Sequence, residues 1–345
     1  MAKRFKIASR WVGDDYPPLV VAEVGINHNG EFERAKSLVD AAVDSGADVV
    51  KFQTHFTENE MIHSDITPGK ISSESLFSII KRCELTADEQ MTLKDYAEQR
   101  GIIFLSTPFS VEAADFLAKI GVSAFKIGSG EVTNYPFVQH VAKKGKPIIL
   151  STGMSTMEEI RPAVNSIRDA GVPLALLQCT STYPSDYKHV KLGAIATLRR
   201  EFDVPVGLSD HSIGIYTALG AVALGACILE KHFTVDRNWP GPDQKLSLEP
   251  NEFGELVKGA RAIFEARGSE KTILKEEKPV IAFARASVVS LRDIKEGELL
   301  TEANIWVKRP GTGEIPAKDL PRVLGKQAKR SIGYDKQLRW SDVED

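Results

Sequence analysis

The sequence predicts an α/β fold: a (β/α)8 TIM barrel followed by a small β-rich domain. Three observations carry this. Eight short, β-branched, apolar runs recur between residue 19 and about residue 268, interleaved with polar turns and stretches of helical period. The runs are continuously apolar, without alternation, as suits strands buried on both faces of a parallel sheet. After Gly268 the texture changes to a charged segment and then to short strand-and-turn patterns.

The apolar runs are 19–26, 49–53, 102–106, 124–127, 147–151, 174–179, 205–208 and 228–233. Between them lie helix-like segments such as 33–45, 87–100, 111–120, 156–170 and 215–224. Strands alternating with helices are βαβ units, and eight of them in roughly 250 residues is the size of a TIM barrel. Asp44-Ser45-Gly46, Gln99-Arg100-Gly101 and Asp169-Ala170-Gly171 each place a glycine just past a periodic segment, where a left-handed C-cap is wanted. Residues 56–84, with Pro68-Gly69 inside, have no clean period. They read either as a βα loop over the barrel mouth containing a short helix or as a floppy insertion. Residues 1–268 are therefore expected to form the barrel, 269–285 a linker and 286–345 the second domain. That domain is expected to have strands near 287–290 and 305–311.

Composition narrows the function. Hydrophobic content of 42% with 26% charged residues is that of an ordinary globular protein. A formal net charge of −3 gives no electrostatic case for nucleic acid. Cys83, Cys179 and Cys227 are far apart and form no C-x-x-C pair, which argues against a thiolate zinc site and fits a reducing cytosol. No run approaches the roughly 20 apolar residues of a membrane span, and the first ten residues hold no signal-peptide core. The expectation is a soluble, cytoplasmic chain with neither membrane nor nucleic acid as partner.

In a TIM barrel the reacting groups stand at the C-terminal ends of the strands. Here those ends carry Glu23 and Asn27; Lys51 and Gln53; Ser106 and Thr107; Lys126, Ser129 and Glu131; Ser151 and Thr152; Gln178 and Thr180; Ser209, Asp210 and His211; Glu230 and His232. Two lysines and several hydroxyls from separate strands make a cradle for a small phosphorylated or carboxylated anion. His211 and His232 end consecutive strands, which lie under about 5 Å apart, close enough for the two imidazoles to share a metal ion that polarises a carbonyl. Each feature also has a plainer reading. Either lysine alone fits a barrel-filling side chain paired with Glu23, a strand-end histidine one bonded to backbone, and the hydroxyls simple strand stops. No G-x-G-x-x-G opens a helix, so a dinucleotide site has little support.

At these residues the sequence closely resembles the sialic acid synthase family, over nearly its whole length. The family includes bacterial N-acetylneuraminate synthases and relatives that make legionaminate, pseudaminate or deaminated sialic acid. The matching segments include Ala22-Glu23-Val24-Gly25-Ile26-Asn27-His28-Asn29-Gly30, Gly46-Ala47-Asp48-Val49-Val50-Lys51-Phe52-Gln53 and Phe104-Leu105-Ser106-Thr107-Pro108-Phe109. Phe125-Lys126-Ile127-Gly128-Ser129-Gly130-Glu131, Leu150-Ser151-Thr152-Gly153-Met154, Gly207-Leu208-Ser209-Asp210-His211 and Glu230-Lys231-His232-Phe233-Thr234 continue the series, with Gly241-Pro242-Asp243. The C-terminal region resembles the antifreeze-like (SAF) domain of these synthases.

The resemblance implies condensation of phosphoenolpyruvate with the aldehyde of an N-acetylmannosamine-type sugar, with water added and phosphate lost by C–O cleavage. It implies Glu23, Lys51 and Lys126 as catalytic residues. Phosphoenolpyruvate contacts match Lys51, Thr107, Lys126, Ser129, Ser151 and Ser209, and sugar contacts match Gln53, Glu131, Tyr183 and Asp243. It implies a divalent metal on His211 and His232, typically manganese, with magnesium or cobalt as alternatives. It also implies a domain-swapped homodimer, in which Arg309 of Lys308-Arg309-Pro310-Gly311 reaches the N-acyl group in the partner's site. One position departs. Ser181 stands in Gln178-Cys179-Thr180-Ser181-Thr182-Tyr183-Pro184 where many bacterial N-acetylneuraminate synthases have Asn, a difference that bears on the sugar and not on the reaction class. The rival readings are a barrel synthase acting on an aldose phosphate and a non-catalytic carbohydrate- or ice-binding protein. The C-terminal domain argues against the former, and the intact set of strand-end Lys, His and Glu against the latter.

Overall fold

The computed structural model describes residues 3–67, 69 and 73–344, and the chain divides into two units, Met1–Gly268 and Ser269–Asp345. In the first, β1 (Arg4–Ile7) and β2 (Arg10–Gly13) pair as an antiparallel hairpin. The barrel strands follow: β3 (Leu19–Gly25), β4 (Val49–Thr54), β5 (Ile103–Pro108), β6 (Phe125–Ile127), β7 (Ile148–Ser151), β8 (Leu174–Cys179), β9 (Val206–Asp210) and β10 (Ile228–His232). Among the described residues these eight form one parallel sheet in the order β5-β4-β3-β10-β9-β8-β7-β6. The last strand returns to the first, with His232 opposite Glu23. Strands β5 and β6 lie in contact without a hydrogen-bonded ladder, so the barrel is nearly closed. Each predicted run is a strand.

Helices α1 (Phe32–Asp44), α2 (Thr57–Glu60), α3 (Leu76–Cys83), α4 (Ala87–Gln99), α5 (Val111–Lys119) and α6 (Tyr135–Ala142) alternate with the strands of the first half. Helices α7 (Met157–Asp169), α8 (Tyr187–Val190), α9 (Ala194–Phe202), α10 (Tyr216–Ala223) and α11 (Pro250–Ala266) complete the unit. Capping boxes start two of them, Thr86 with Glu89 on α4 and Thr156 with Glu159 on α7, each satisfying two otherwise unpaired N–H groups. Gly46, Gly101 and Gly171 follow their helices with φ of 77°, 78° and 71°, the left-handed C-cap expected. Among the described residues no helix is long and apolar enough to cross a membrane.

Successive side chains of a strand point to opposite faces, and this parity sorts the barrel. Val20, Ala22, Val24, Val50, Phe104, Leu176 and Leu229 face the helices in the main core. Leu19, Val21, Val49, Leu105, Ala124, Ile149, Ala175, Leu177 and Ile228 form a second core together with Phe5, Ile7 and Val12 of the hairpin. The hairpin therefore plugs the N-terminal end of the barrel. The other end of that inward face carries Glu23, Lys51, Thr107, Lys126, Ser151, Ser209 and Glu230. Gly207 is required in this packing, since a Cβ there would come within 2.3 Å of the Ile228 carbonyl oxygen.

The 56–84 connection contains α2 and α3, and Pro68 lies outside the described residues. On α3, Phe77, Ile79, Ile80 and Cys83 are buried, and Ser75 caps the helix by accepting from the Ser78 N–H.

In the second unit, β11 (Ser287–Ser290) and β12 (Ile305–Lys308) pair antiparallel around a core of Val288, Ile294, Leu300, Ile305, Ile315, Val323, Ile332 and Leu338. The segment expected as a linker is not featureless. It contains α12 (Lys278–Ala284) and falls within this unit, where the Ala282 carbonyl accepts from the Gly311 N–H. Its Pro279, Val280, Ile281 and Phe283, among the charges, suffice for two helical turns. A last α-helix, α13 (Leu320–Val323), and a 3-10 turn, Trp340–Asp342, follow β12.

Candidate active site

The polar end of the inward face is a cavity of about 160 Å³. Lys51 and Lys126 reach into it from β4 and β6, each 3% exposed. The Lys51 Nζ lies 2.6 Å from Glu23 Oε2 and 3.6 Å from Glu230 Oε2, and donates to Thr107 Oγ1 at 3.1 Å. The Lys126 Nζ donates to Ser151 Oγ at 2.8 Å and lies 3.6 Å from Glu230 Oε1. Ser209 donates to the same Glu230 oxygen at 2.9 Å. Glu230 thus bridges both ammonium groups. Ser129 accepts from the Gly153 N–H at 3.0 Å. Gly153 has no room for a side chain, since a Cβ would meet Ser181 Oγ at 2.4 Å and Ser129 Oγ at 2.8 Å.

Burial and charge set the protonation states. Burial raises the Glu23 carboxyl, the Lys51 ammonium opposes it, and the result is about 7. Burial also pushes Glu230 up, but Lys126 and Lys51 outweigh it and hold the carboxyl below its ordinary range. For Lys51, burial works against the charge, yet Glu23 and Glu230 keep the ammonium above the usual lysine range. Lys126 is drawn down, chiefly by burial. The cavity therefore holds one firm carboxylate, one that titrates near neutrality, and two cations already facing oxygen.

Glu23 is also tied to the loop. Its Oε1 accepts from Gln53 Nε2 at 3.2 Å, and Gln53 Oε1 faces His55 Nε2 at 3.0 Å. The His55 Nδ1 meets Glu60 Oε2 at 2.8 Å, and the ring stacks on Phe109 at 4.6 Å between centroids. A chain of bonds thus runs from α2 to Glu23 and fixes the Gln53 amide with its N–H toward the carboxylate.

The two histidines stand side by side, with ring centroids 5.4 Å apart and Tyr183 4.2 Å from the His211 ring. The His211 Nδ1 donates to the Thr180 carbonyl at 2.8 Å; burial works against a charged ring, but Cys179 and that carbonyl raise the imidazole above its ordinary range. Burial, with His211 nearby, holds His232 well below the ordinary histidine range, so it is neutral, and its Nδ1 is buried with no hydrogen-bond partner. The Asp243 Oδ2 is 4.0 Å from that nitrogen, and burial raises its carboxyl to about 6. Among the described residues no group of three or more His, Cys, Asp or Glu is arranged to hold a metal. A cation here would rest on two imidazoles and complete its sphere with water and substrate oxygens. Two imidazoles, that of His232 neutral with an orphaned buried nitrogen, fit a divalent ion on that basis, with any proton on His211 Nε2 released on binding.

Of the sequence-derived candidates, Glu23, Lys51, Gln53, Thr107, Lys126, Ser129, Ser151, Tyr183, Ser209, His211 and His232 line this one cavity. Asp243 lines an adjoining one, and Glu131 lines neither cavity but accepts from Asn134 at 2.7 Å. Arg309 belongs to the second unit, exposed just past β12. The plainer readings are realised as well: Lys51 does pair with Glu23, and His211 does bond backbone. Other strand-end groups are structural. Asn27 donates to the Phe233 carbonyl, Ser106 bonds Thr54, Gln178 donates to the Val190 carbonyl, and Asp210 pairs with the buried Lys231. Glu230, Cys179, Ser181 and Phe109 line the cavity without having been assigned a role. Period-2 parity marks Glu230 and Cys179, since Ile228, Glu230 and His232 share a face, as do Ala175, Leu177 and Cys179.

Comparison with known proteins agrees with this geometry. The chain matches the NeuB family over residues 38–272 and the SAF domain over residues 285–344. It is 42% identical to an N,N'-diacetyllegionaminic acid synthase of Campylobacter jejuni over 93% of this chain and 98% of that one. It is 35% identical to the human N-acetylneuraminate-9-phosphate synthase over 94% and 92%. Its structure is similar to that of an N-acetylneuraminic acid synthetase from Leptospira borgpetersenii, solved with citrate, with a TM-score of 0.74, 33% identity, and coverage of 81% and 96%. A barrel whose lysines, carboxylates and paired imidazoles meet at one mouth, followed by an antiparallel domain, thus belongs to the NeuB family of synthases and carries a C-terminal SAF domain.

Proposed function

We propose that the chain condenses phosphoenolpyruvate with the open-chain aldehyde of an N-acylated amino sugar of the N-acetylmannosamine type, giving a nonulosonate such as N-acetylneuraminate, and phosphate. The observation that carries this is the convergence of two buried ammonium groups and four hydroxyls on one cavity that is also lined by a pair of imidazoles. Lys51 and Lys126 draw the phosphate and carboxylate of phosphoenolpyruvate, and Thr107, Ser129, Ser151 and Ser209 donate to its oxygens. The methylene carbon attacks the aldehyde carbon, and the aldehyde oxygen takes up a proton. Water adds to the resulting cationic carbon, and phosphate departs with its bridging oxygen. Glu23, titrating near 7, is placed to take the proton of that water and is oriented by Gln53. A divalent metal held by His211 and His232, manganese in our reading, supplies Lewis-acid polarisation of the aldehyde when bound.

Two chains are proposed to exchange their SAF domains, each presenting Arg309 to the sugar of its partner. The support is the match of Lys308-Arg309-Pro310-Gly311 to the family pattern and the exposure of Arg309. Phosphate release from phosphoenolpyruvate, measured with and without sugar, tests the reaction: release that requires the sugar and forms a nine-carbon product supports it, and sugar-independent or absent release contradicts it.

A further inference from the structure

A row of polar side chains runs from the cavity into the 56–84 connection. It starts at Glu23, whose Oε1 accepts from Gln53 Nε2 at 3.2 Å, and continues from Gln53 Oε1 to His55 Nε2 at 3.0 Å and from His55 Nδ1 to Glu60 Oε2 at 2.8 Å. His55 is 4% exposed, and its ring lies nearly flat on Phe109, a wall of the cavity, with 14° between the planes. The Glu60 side chain is 5% exposed. Helix α2, which carries it, is pinned at its start, where the Thr57 N–H and hydroxyl both donate to Glu84 Oε2. An apolar pair would fill the same space without the desolvation that a buried imidazole and carboxylate cost. The proposed reaction, as it stands, uses neither group.

We propose that His55 is a positioning residue for Glu23: its Nε2–H holds the Gln53 amide in the one orientation that gives Glu23 a donor, and Glu60 holds the ring. The inference rests on the reading of Glu23 as the group that takes the proton of water. An amide has a donor end and an acceptor end, and turning it over exchanges them. With Nε2 toward Glu23 the amide leaves Oε1 toward His55, so the His55 Nε2 must carry hydrogen. The His55 Nδ1 and Glu60 Oε2 share one further proton. Turned over, the amide would set Oε1 against the Glu23 carboxylate and its own N–H against the N–H of His55, two repulsions at once. In the observed orientation both Glu23 oxygens are held, Oε1 by Gln53 and Oε2 by Lys51 at 2.6 Å. Without the ring N–H the amide turns freely, and the carboxylate loses its aim at the water. The lock needs from Glu60 a polar partner and not a charge or a proton path. A glutamine there can donate to Nδ1 of a neutral ring and leave the hydrogen on Nε2.

The test measures kcat and KM for phosphate release in His55→Phe and Glu60→Gln, with thermal melting of both. Phenylalanine keeps the stacking on Phe109 and loses only the donor. His55→Phe is therefore expected to melt cooperatively and to lower kcat by about three- to tenfold, the worth of one hydrogen bond, with KM for phosphoenolpyruvate within about twofold of wild type. Glu60→Gln, the conservative variant, should keep most of kcat. Long-range proton–nitrogen NMR spectra of the histidine rings, with the His55 signal picked out by its shift in Glu60→Gln, should show hydrogen on Nε2 in that variant and in the wild type. If His55→Phe does not fold, these spectra decide alone. An unchanged kcat in His55→Phe overturns the proposal, because the ring then only packs, and so does a loss carried by KM for phosphoenolpyruvate. A loss in Glu60→Gln as large as in His55→Phe overturns it too, since the pair would then act as a proton path, as does a His55 ring without hydrogen on Nε2. Wild-type protein that releases no phosphate, with saturating divalent metal and an N-acetylmannosamine-type sugar, overturns the reaction itself and this inference with it.

Discussion

Replacing Lys126 by methionine removes one of the two ammonium groups of the cavity and leaves a side chain of similar length. In the free protein that ammonium donates to Ser151 at 2.8 Å and lies 3.6 Å from Glu230. Without it, Lys51 alone must balance Glu230 at 3.6 Å and Glu23 at 2.6 Å, so little positive charge remains for an anion. A hydrogen bond to a charged group contributes about 1.5–3 kcal/mol, which corresponds to about a 10- to 150-fold weaker affinity for phosphoenolpyruvate. Titration calorimetry with phosphoenolpyruvate, and its KM at saturating sugar, measure the loss directly. The KM for the sugar should move far less, and thermal melting separates lost affinity from lost fold. Phosphoenolpyruvate affinity within about twofold of wild type in both Lys126→Met and Lys51→Met would show that the lysines only fill the barrel.

Four further outcomes are expected. His232→Ala should lose divalent metal, measured on the purified protein, together with nearly all turnover while melting cooperatively; full activity after exhaustive chelation contradicts the metal assignment. Because Glu23 titrates near 7, its carboxylate is present above that pH and lost below it, so kcat/KM should fall on the acid side of about 7 and Glu23→Gln should abolish that limb. The same raised value means that ionising Glu23 costs the fold stability as pH rises from 4.5 through 7, a slope that Glu23→Gln should remove from a melting series. Mixing Arg309→Ala and Lys126→Met chains after co-refolding should restore part of the activity, since one site of a heterodimer keeps both residues; no recovery, with a monomer by sedimentation, refutes the exchanged domains.

The barrel is legible in the sequence because buried parallel strands leave unbroken apolar runs, and each run proved a strand. The N-terminal hairpin is not, since only Phe5, Ile7 and Val12 mark it among charges, and four-residue strands carry too few alternations to stand out. Helix α3 is expected only as an unplaced short helix in the 56–84 connection, for a similar reason: Phe77, Ile79, Ile80 and Cys83 make one apolar face, but over eight residues next to a polar stretch. For the site, chemistry at the strand ends was enough to find Lys51, Lys126 and both histidines. It also collected Ser106, Gln178 and Asp210, whose parity turns them outward to Thr54, Val190 and Lys231. The same parity marks Glu230, the shared acceptor of both lysines. The bonds from Glu60 through His55 extend the strand-end pair Gln53 and Glu23 by residues whose spacing carries no signal, because the turn after β4 and α2 bring Glu60 back onto His55.

The central claim is that this cavity joins phosphoenolpyruvate to a sugar aldehyde with cleavage of the carbon–oxygen bond. Phosphoenolpyruvate labelled with oxygen-18 at the bridging position, incubated with the protein, a divalent metal and an N-acylated amino sugar of the N-acetylmannosamine type, tests it in one mass measurement. The account predicts that the released phosphate carries the label and that a nonulosonate without it accumulates in equal amount. Unlabelled phosphate, or labelled phosphate with no carbon–carbon product, would contradict it.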